Sequence, residues 1–152
     1  MQFLETLNPI LQWLGIFVAG AIPYVESHLA AFIGVLIGVP IILAIIFGIL
    51  GNFVSMLLLV VFGEKIRKWR KSDTKPLTKR QEKTKKAFDK YGVIGVAFLG
   101  PALVPSQLIA MAMVTFGVAK NKVILWQTLS IIVWGTSFGI LAALGVDVIG
   151  MH

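Results

Sequence analysis

The stretch GIFVAGAIPYVESHLAAFIGVLIGVP, residues 15–40, limits how this chain can fold. It is almost wholly apolar, yet two pairs of helix-breaking residues interrupt it, Gly20 with Pro23 and Gly38 with Pro40. Proline lacks a backbone N–H and disfavours helical backbone at the residue before it. One continuous helix therefore cannot run through this stretch, and the sequence predicts two short helical segments.

The apolar region around this stretch divides at the breaks into three segments: 9–22, 24–39 and 41–62. A helix needs roughly 20 residues to cross a hydrocarbon core ~30 Å thick. Only the third segment is long enough, because it would span about 33 Å at ~1.5 Å per residue. We therefore expect residues 9–39 to form a re-entrant hairpin and residues 41–62 to form a full span.

The second half of the chain repeats this order of two short segments and a long one: 91–100, 106–119 and 123–149. Pro101 and Pro105 separate the two short segments, and both short pairs end in Gly-Val. The same reasoning predicts a re-entrant hairpin over 91–119 and a full span over 123–149.

The basic residues provide an independent indication of topology. Residues 1–63 contain no Lys or Arg, 12 of the 14 basic residues lie between Lys65 and Lys90, and the others are Lys120 and Lys122. Lys and Arg accumulate in cytoplasmic loops of membrane proteins. Two re-entrant hairpins place all of them on the cytoplasmic side with both termini outside, whereas four straight spans would place the two basic segments on opposite faces.

The sequence thus predicts an all-α integral membrane protein with an inverted repeat, in which each half is a re-entrant helical hairpin plus one full transmembrane helix. Its expected parts are a first membrane repeat over 1–63, a basic cytoplasmic loop over 64–90 and a second membrane repeat over 91–152. The composition agrees, because 57% hydrophobic residues and a mean hydropathy of +0.88 exceed what soluble domains carry. We expect a bacterial inner-membrane location.

Several classes of function are disfavoured. A basic segment between apolar runs fits a cytoplasmic loop better than a nucleic-acid surface. The chain has no Cys, and its two histidines, His28 and His152, share no ligand spacing, so we expect no metal site and no cofactor. Phosphate-binding loops and nucleophile motifs are missing from the sequence, which predicts no enzyme and no catalytic residue.

The first predicted hairpin tip, around Gly20 and Pro23, carries Glu26 and His28. A carboxylate at membrane depth usually binds a proton, a cation or a substrate. A solvated position near the interface is the alternative for Glu26. His28 lies two residues away and is not expected to share its helical face, so a satisfied interfacial histidine competes with a titrating one.

The second predicted tip runs from Pro101 through Pro105 to Ser106 and Gln107. Broken helices that meet near the midplane often form the binding site of inverted-repeat transporters. Capping of a freed helix end is the alternative role for these polar residues. Asn52 in the long span is expected to hydrogen-bond between helices, or else to line a polar pathway. The expected substrate- and proton-binding set is Glu26, His28, Gly20, Pro23, Pro101, Pro105, Ser106, Gln107 and Asn52.

Four sequence motifs carry a family resemblance: Gly20-Ala-Ile-Pro23-Tyr-Val-Glu26, Gly51-Asn52, Phe88-Asp-Lys-Tyr91-Gly92 and Phe98-Leu-Gly-Pro101. The chain resembles the small multidrug export protein family, which is similar to the wider DedA-like membrane proteins with paired re-entrant hairpins. The resemblance implies movement of lipids, including undecaprenyl phosphate, or of drugs. Many members have an acidic residue and an Arg before Gly-Ala-Ile-Pro, where this chain has Phe17, Val18 and Ala19.

These observations predict a transporter of an amphiphilic lipid-like or drug-like substrate, coupled to protons through Glu26 or passive. Two full spans cannot seal two hairpins from lipid, so a homodimer or larger homo-oligomer is expected. Membrane lipids, substrate and protons are its expected partners, and nucleic acid is not. One alternative is a four-helix drug/proton antiporter with Glu26 in a straight helix. Another is a non-transporting membrane scaffold that acts through its basic loop.

Overall fold

The computed structural model describes residues 8–70 and 79–149, and these residues form α-helices without any β-strand. Their helices are α1 (Pro9–Ala21), α2 (Glu26–Leu36), α3 (Ile41–Arg70), α4 (Lys79–Leu99), α5 (Ser106–Thr115) and α6 (Lys120–Ile149), with a short 3-10 turn at Gly100–Ala102. The expectation of an all-α chain is confirmed for this part of the sequence.

Two of these helices are long. α3 and α6 have 30 residues each and so extend about 45 Å. Among the described residues they alone are long and apolar enough to cross a membrane, over Ile41–Trp69 and Lys120–Asp147. Large apolar side chains stay exposed along them, Leu58 at 67% and Leu141 at 63%. Such surfaces are suited to lipid rather than water.

The remaining apolar helices are short. α1, α2 and α5 have 13, 11 and 10 residues, so each is about 15–20 Å long and falls short of a hydrocarbon core. α4 has 21 residues but breaks at Gly92, whose φ of 69° and ψ of −176° are not helical. The helix is interrupted between Ala21 and Glu26, and between Leu99 and Ser106 only a short 3-10 turn occurs. The breaks that the sequence predicts at Gly20-Pro23 and at Pro101-Pro105 are therefore present.

Both neighbouring helices extend into the basic segment over 64–90. α3 continues past residue 62 to Arg70, and α4 begins at Lys79 and runs on through Tyr91, so the described part of this segment is helical. Lys, Arg, Glu and Gln are good helix formers, which explains why polarity alone does not end either helix. Residues 71–78, including Pro76, lie outside the described residues.

Each short-helix pair passes into its long helix through the same glycine turn. Gly38 has φ of 85° and Gly117 has φ of 102°, a left-handed conformation that side chains disfavour. After α2, the N–H of Val39 donates to Gly34 O at 3.0 Å; after α5, the N–H of Val118 donates to Met113 O at 3.0 Å. Both are Schellman-type helix ends. The order short helix, glycine turn and 30-residue helix thus occurs twice.

The first compact unit comprises Met1–Val54 and Ile131–His152. In it, α1 packs on α2, and glycines bring both short helices close to the long ones. A β-carbon on Gly20 would overlap the carbonyl oxygen of Gly48, and one on Gly51 would overlap that of Phe17. Gly135 and Gly139 of α6, a G-x-x-x-G pair, lie close to the side chains of Ile49 and Ile45, so they too allow close helix approach.

The second compact unit comprises Ser55–Ser130, and here α4 packs on α5. Ser130 Oγ donates to the carbonyl oxygen of Ala97 at 2.7 Å. At the ends of the long helices, Lys120 Nζ donates to Glu64 Oε2 at 3.2 Å, and Lys68 Nζ lies 3.7 Å from Glu64 Oε1. These contacts join α3 to the start of α6 within this unit.

Substituting Gly51 by Ala tests the close helix contact. The new β-carbon would meet the Phe17 carbonyl oxygen, and because that atom belongs to a helix backbone, relief requires α1 to move. We expect a loss of about 1–3 kcal/mol, typical of overpacking, seen as a lower Tm of the purified protein in detergent.

Gly15→Ala is the matched control, since a β-carbon there has nothing within 4 Å. It should be neutral or should stabilise α1 by up to about 1 kcal/mol, because Ala is the better helix former. Equal Tm changes in the two variants would contradict the packing described here.

Candidate functional site

The first unit buries a carboxylate where the chain turns between two short helices. Glu26 is the first residue of α2 and is only 2% exposed. Its φ is +53°, and Tyr24 before it has φ of +75°, so two non-glycine residues near the break have left-handed backbone. Such conformations cost free energy and persist only where the surroundings impose them. The solvated position that sequence reasoning left open for Glu26 is therefore wrong.

His28 contacts Glu26, which sequence reasoning did not expect. Its Nδ1 lies 3.8 Å from Glu26 Oε2, with the His28 side chain 15% exposed. Side chains two residues apart on a regular helix point to different faces. The left-handed backbone at Glu26 redirects its side chain, so the contact becomes possible.

Aromatic side chains cover the imidazole of His28. Its ring centroid lies 5.1 Å from that of Phe138 and 5.9 Å from that of Trp134, and Phe32 extends the group at 6.5 Å from Phe138. Edge-on and tilted packing at these distances is favourable for aromatic rings. The Glu26–His28 pair therefore has an apolar wall supplied by α6, which the sequence pattern did not indicate.

Ser27 fixes the start of α2 to both long helices. Its Oγ donates to the carbonyl oxygen of Ile131 in α6 at 3.0 Å, and Asn52 Nδ2 of α3 donates to Ser27 Oγ at 3.5 Å. Ser27 and Asn52 are fully or almost fully buried. The interhelical role expected for Asn52 is thus present. Ser27 was missed, although it stands between Glu26 and His28 in a polar triplet within an apolar run.

The other residues expected at the first tip have different surroundings. Gly20 faces the backbone of Gly48, and Gly48 in turn approaches Ser27, so Gly20 sets a helix spacing next to the site. Pro23 is exposed in the turn that follows α1. The structure thus brings Glu26, His28 and Asn52 to one place and leaves Pro23 on the outside of the turn.

The second unit contains the other predicted tip. Pro101 lies in the 3-10 turn and is partly exposed, whereas Pro105, Ser106 and Gln107 are buried where α5 begins. Pro105 provides no side-chain hydrogen bond to this helix end. Gln107 is 0% exposed, and its amide forms no hydrogen bond with any described residue. Capping by Gln107, the alternative from sequence, is therefore not seen.

No group of three or more His, Cys, Asp or Glu side chains that could hold a metal ion occurs among residues 8–70 and 79–149. The charged and polar atoms of the first tip are instead Glu26, His28 and two hydrogen-bonding neutral side chains. Chemically, such a group can bind and release a proton or contact a cation.

Comparison with known proteins places the chain in a family. The model of the small multi-drug export protein family matches residues 26–136, which include α2, the described part of the basic segment and most of α6. The chain belongs to this family. The match begins at Glu26 and confirms the resemblance to this family, while the Gly20–Pro23 part of the sequence motif lies outside the matched residues. No curated protein and no solved structure matches the chain.

Membership and structure together make this a membrane protein. The family is one of export proteins rather than enzymes, and two helices have the length and composition of membrane spans. A small-molecule substrate and membrane lipids are the partners that such a family implies.

Proposed function

We propose that the chain is a membrane transporter that moves an amphiphilic substrate, lipid-like or drug-like, and that Glu26 binds the coupling proton. The observation that carries this proposal is the burial of Glu26, which is 2% exposed and lies at a break between two helices. The chain belongs to a family of export proteins, which gives that burial its functional meaning. A charged carboxylate at membrane depth is unfavourable unless it is paired or hydrated, so its protonation responds to what binds beside it.

The surroundings of Glu26 support exchange between proton and substrate. His28 at 3.8 Å can share or compete for a proton, while Ser27 and Asn52 provide neutral hydrogen-bonding groups. Phe32, Trp134 and Phe138 supply an apolar wall for the non-polar part of a substrate. An amphiphile presents both kinds of surface, which is why we favour it as the substrate.

The membrane arrangement that we propose is two re-entrant hairpins, α1 with α2 and the end of α4 with α5, in an inverted repeat with α3 and α6 as spans. The short helices support this arrangement, since none could cross alone. The contact of Lys120 with Glu64 supports a common cytoplasmic side for the two basic segments. Residues 22–25 interrupt the helix at Glu26, which disfavours the antiporter with a straight helix there.

Glu26→Gln tests proton coupling. In proteoliposomes, with labelled lipid and a cationic drug as separate probes, a pH gradient should accelerate wild-type flux. The variant should lose that acceleration by about tenfold, within the usual range of coupling between two ligands, because glutamine cannot release a proton. Its flux without a gradient should persist.

Asp147→Asn removes the same charge from an exposed position in α6 and serves as the control. It should keep the response to the gradient. If Glu26→Gln also keeps it, proton coupling through Glu26 is wrong. If the protein is instead a scaffold that acts through its basic segment, neither probe should show flux in the wild type, in Glu26→Gln or in Asp147→Asn.

Cysteine labelling tests the topology, and the natural chain has no Cys to remove. Pro40→Cys and Lys122→Cys are both at exposed positions, and neither removes the Glu64–Lys120 contact. An impermeant maleimide should label the first in intact cells and the second only after permeabilisation. Lys83→Cys, in the basic segment, should behave like Lys122→Cys. Labelling of both Pro40→Cys and Lys122→Cys from outside would exclude the inverted repeat.

A homodimer is the assembly that we propose, because α1 cannot cross the membrane alone and the two spans of one chain leave its outer apolar face uncovered. The exposed apolar side chains of α1, such as Ile10 and Val18, offer surface for such contact. Crosslinking of a labelled chain in native membranes should give a dimer band. An excess of unlabelled chain in the same membranes should weaken the band that contains two labelled chains. Monomers alone at every crosslinker concentration would contradict this assembly.

A further inference from the structure

The second unit contains buried amide groups that the proposed mechanism does not use. Gln107 and Gln127 are both 0% exposed, and neither the Nε2 nor the Oε1 atom of either residue has a hydrogen-bond partner among the described residues. Thr128 Oγ1 is in the same situation. A buried polar group without a partner costs about 1–3 kcal/mol, so such groups in a folded protein call for an explanation.

The helices that carry the two glutamines both contact one short segment. In α5, Ile109 packs on Gly100, and in α6, Ser130 donates to the carbonyl oxygen of Ala97. Gln127 lies one helical turn before Ser130, and Gln107 lies in the first turn of α5. The contacted segment, residues 97–100, is where α4 ends at its break.

The buried polar groups of this unit are all neutral: Ser106, Gln107, Gln127 and Ser130. A carboxamide offers donors and an acceptor but no net charge. A charged ligand in this place would find no buried counter-charge among the described side chains, and burial without one is expensive. A neutral group with its own donors and acceptors would satisfy both amides without that cost.

We propose that Gln107 and Gln127 form a second binding site, which takes an uncharged hydroxyl-bearing polar group of an amphiphile. The site deepens the proposed transport function and rests on it for its role, since it names the substrate chemistry that the second tip accepts.

Equilibrium binding tests this site without depending on transport. The wild type is placed in phosphatidylcholine nanodiscs, and its Tm is followed by tryptophan fluorescence with three probes of equal chain length. The probes are monooctanoylglycerol, which is neutral and carries hydroxyls, octyltrimethylammonium and octyl phosphate. The neutral probe should raise Tm in a saturable way and at lower concentration than either charged probe.

Gln107→Met and Gln127→Met remove the amide at nearly constant length. Each should fold at least as stably as the wild type without probe, since an unpartnered amide is replaced by an apolar group. Each should raise the apparent Kd for monooctanoylglycerol about tenfold, as expected for the loss of one buried hydrogen bond. Gln12→Met, in α1 of the first unit, is the matched control and should leave this Kd unchanged.

Three outcomes would overturn the proposal. The first is equal Tm shifts for the neutral and charged probes. The second is unchanged binding of the neutral probe in both glutamine variants. The third is a lower Tm of both variants without probe and unaltered probe binding, which would indicate internal water or protein contacts on the amides. Binding of monooctanoylglycerol is measured without a pH gradient, so failure of proton coupling in Glu26→Gln and failure of this site give different results.

Discussion

The hydrogen-bonding requirement of the backbone in lipid is the constraint on which the other features of this structure depend. An N–H or C=O group in hydrocarbon has no water to bind, so a chain can break a helix at membrane depth only where protein or a hydrated cavity satisfies the freed groups. Here α1, α2 and α5 have 13, 11 and 10 residues, too few to cross. At the two proposed tips, turn bonds satisfy part of the freed backbone: the N–H of Glu26 donates to Ile22 O at 3.1 Å, and the N–H of Val104 donates to Gly100 O at 2.9 Å.

Close helix packing follows from this requirement. Short helices are held in place by the long ones, and Gly20 and Gly51 let backbones approach to a distance that any β-carbon would prevent. Van der Waals contact and interhelical hydrogen bonds replace the hydrophobic effect as the source of such association in lipid. Ser27 adds a hydrogen bond to α6, which fixes the start of α2 where the buried carboxylate lies.

Sequence reasoning predicted the breaks, the two long helices and the repeated order of segments, because proline, glycine and segment length act locally. It ended the first span at residue 62, whereas α3 runs on to Arg70, since polarity marks exposure to water and does not end a helix of Lys, Arg and Glu. It also missed the contact between Glu26 and His28. That contact depends on a left-handed backbone at a non-glycine residue, which no spacing rule encodes. Phe138, which packs on His28, lies more than 100 residues after it in the sequence, so only tertiary packing reveals this aromatic contact.

The two tips share a position in the repeated order but not their chemistry. α2 begins with Glu26, Ser27 and His28, whereas α5 begins after Pro105 with Ser106 and Gln107. Both starts have a serine in the middle. Where the first has Glu26 and His28, the second has Pro105 and Gln107. A repeat kept only for folding would need no acid at either tip, because a buried carboxylate costs stability. One ionisable tip and one neutral tip therefore fit the transport function proposed above better than a purely structural repeat.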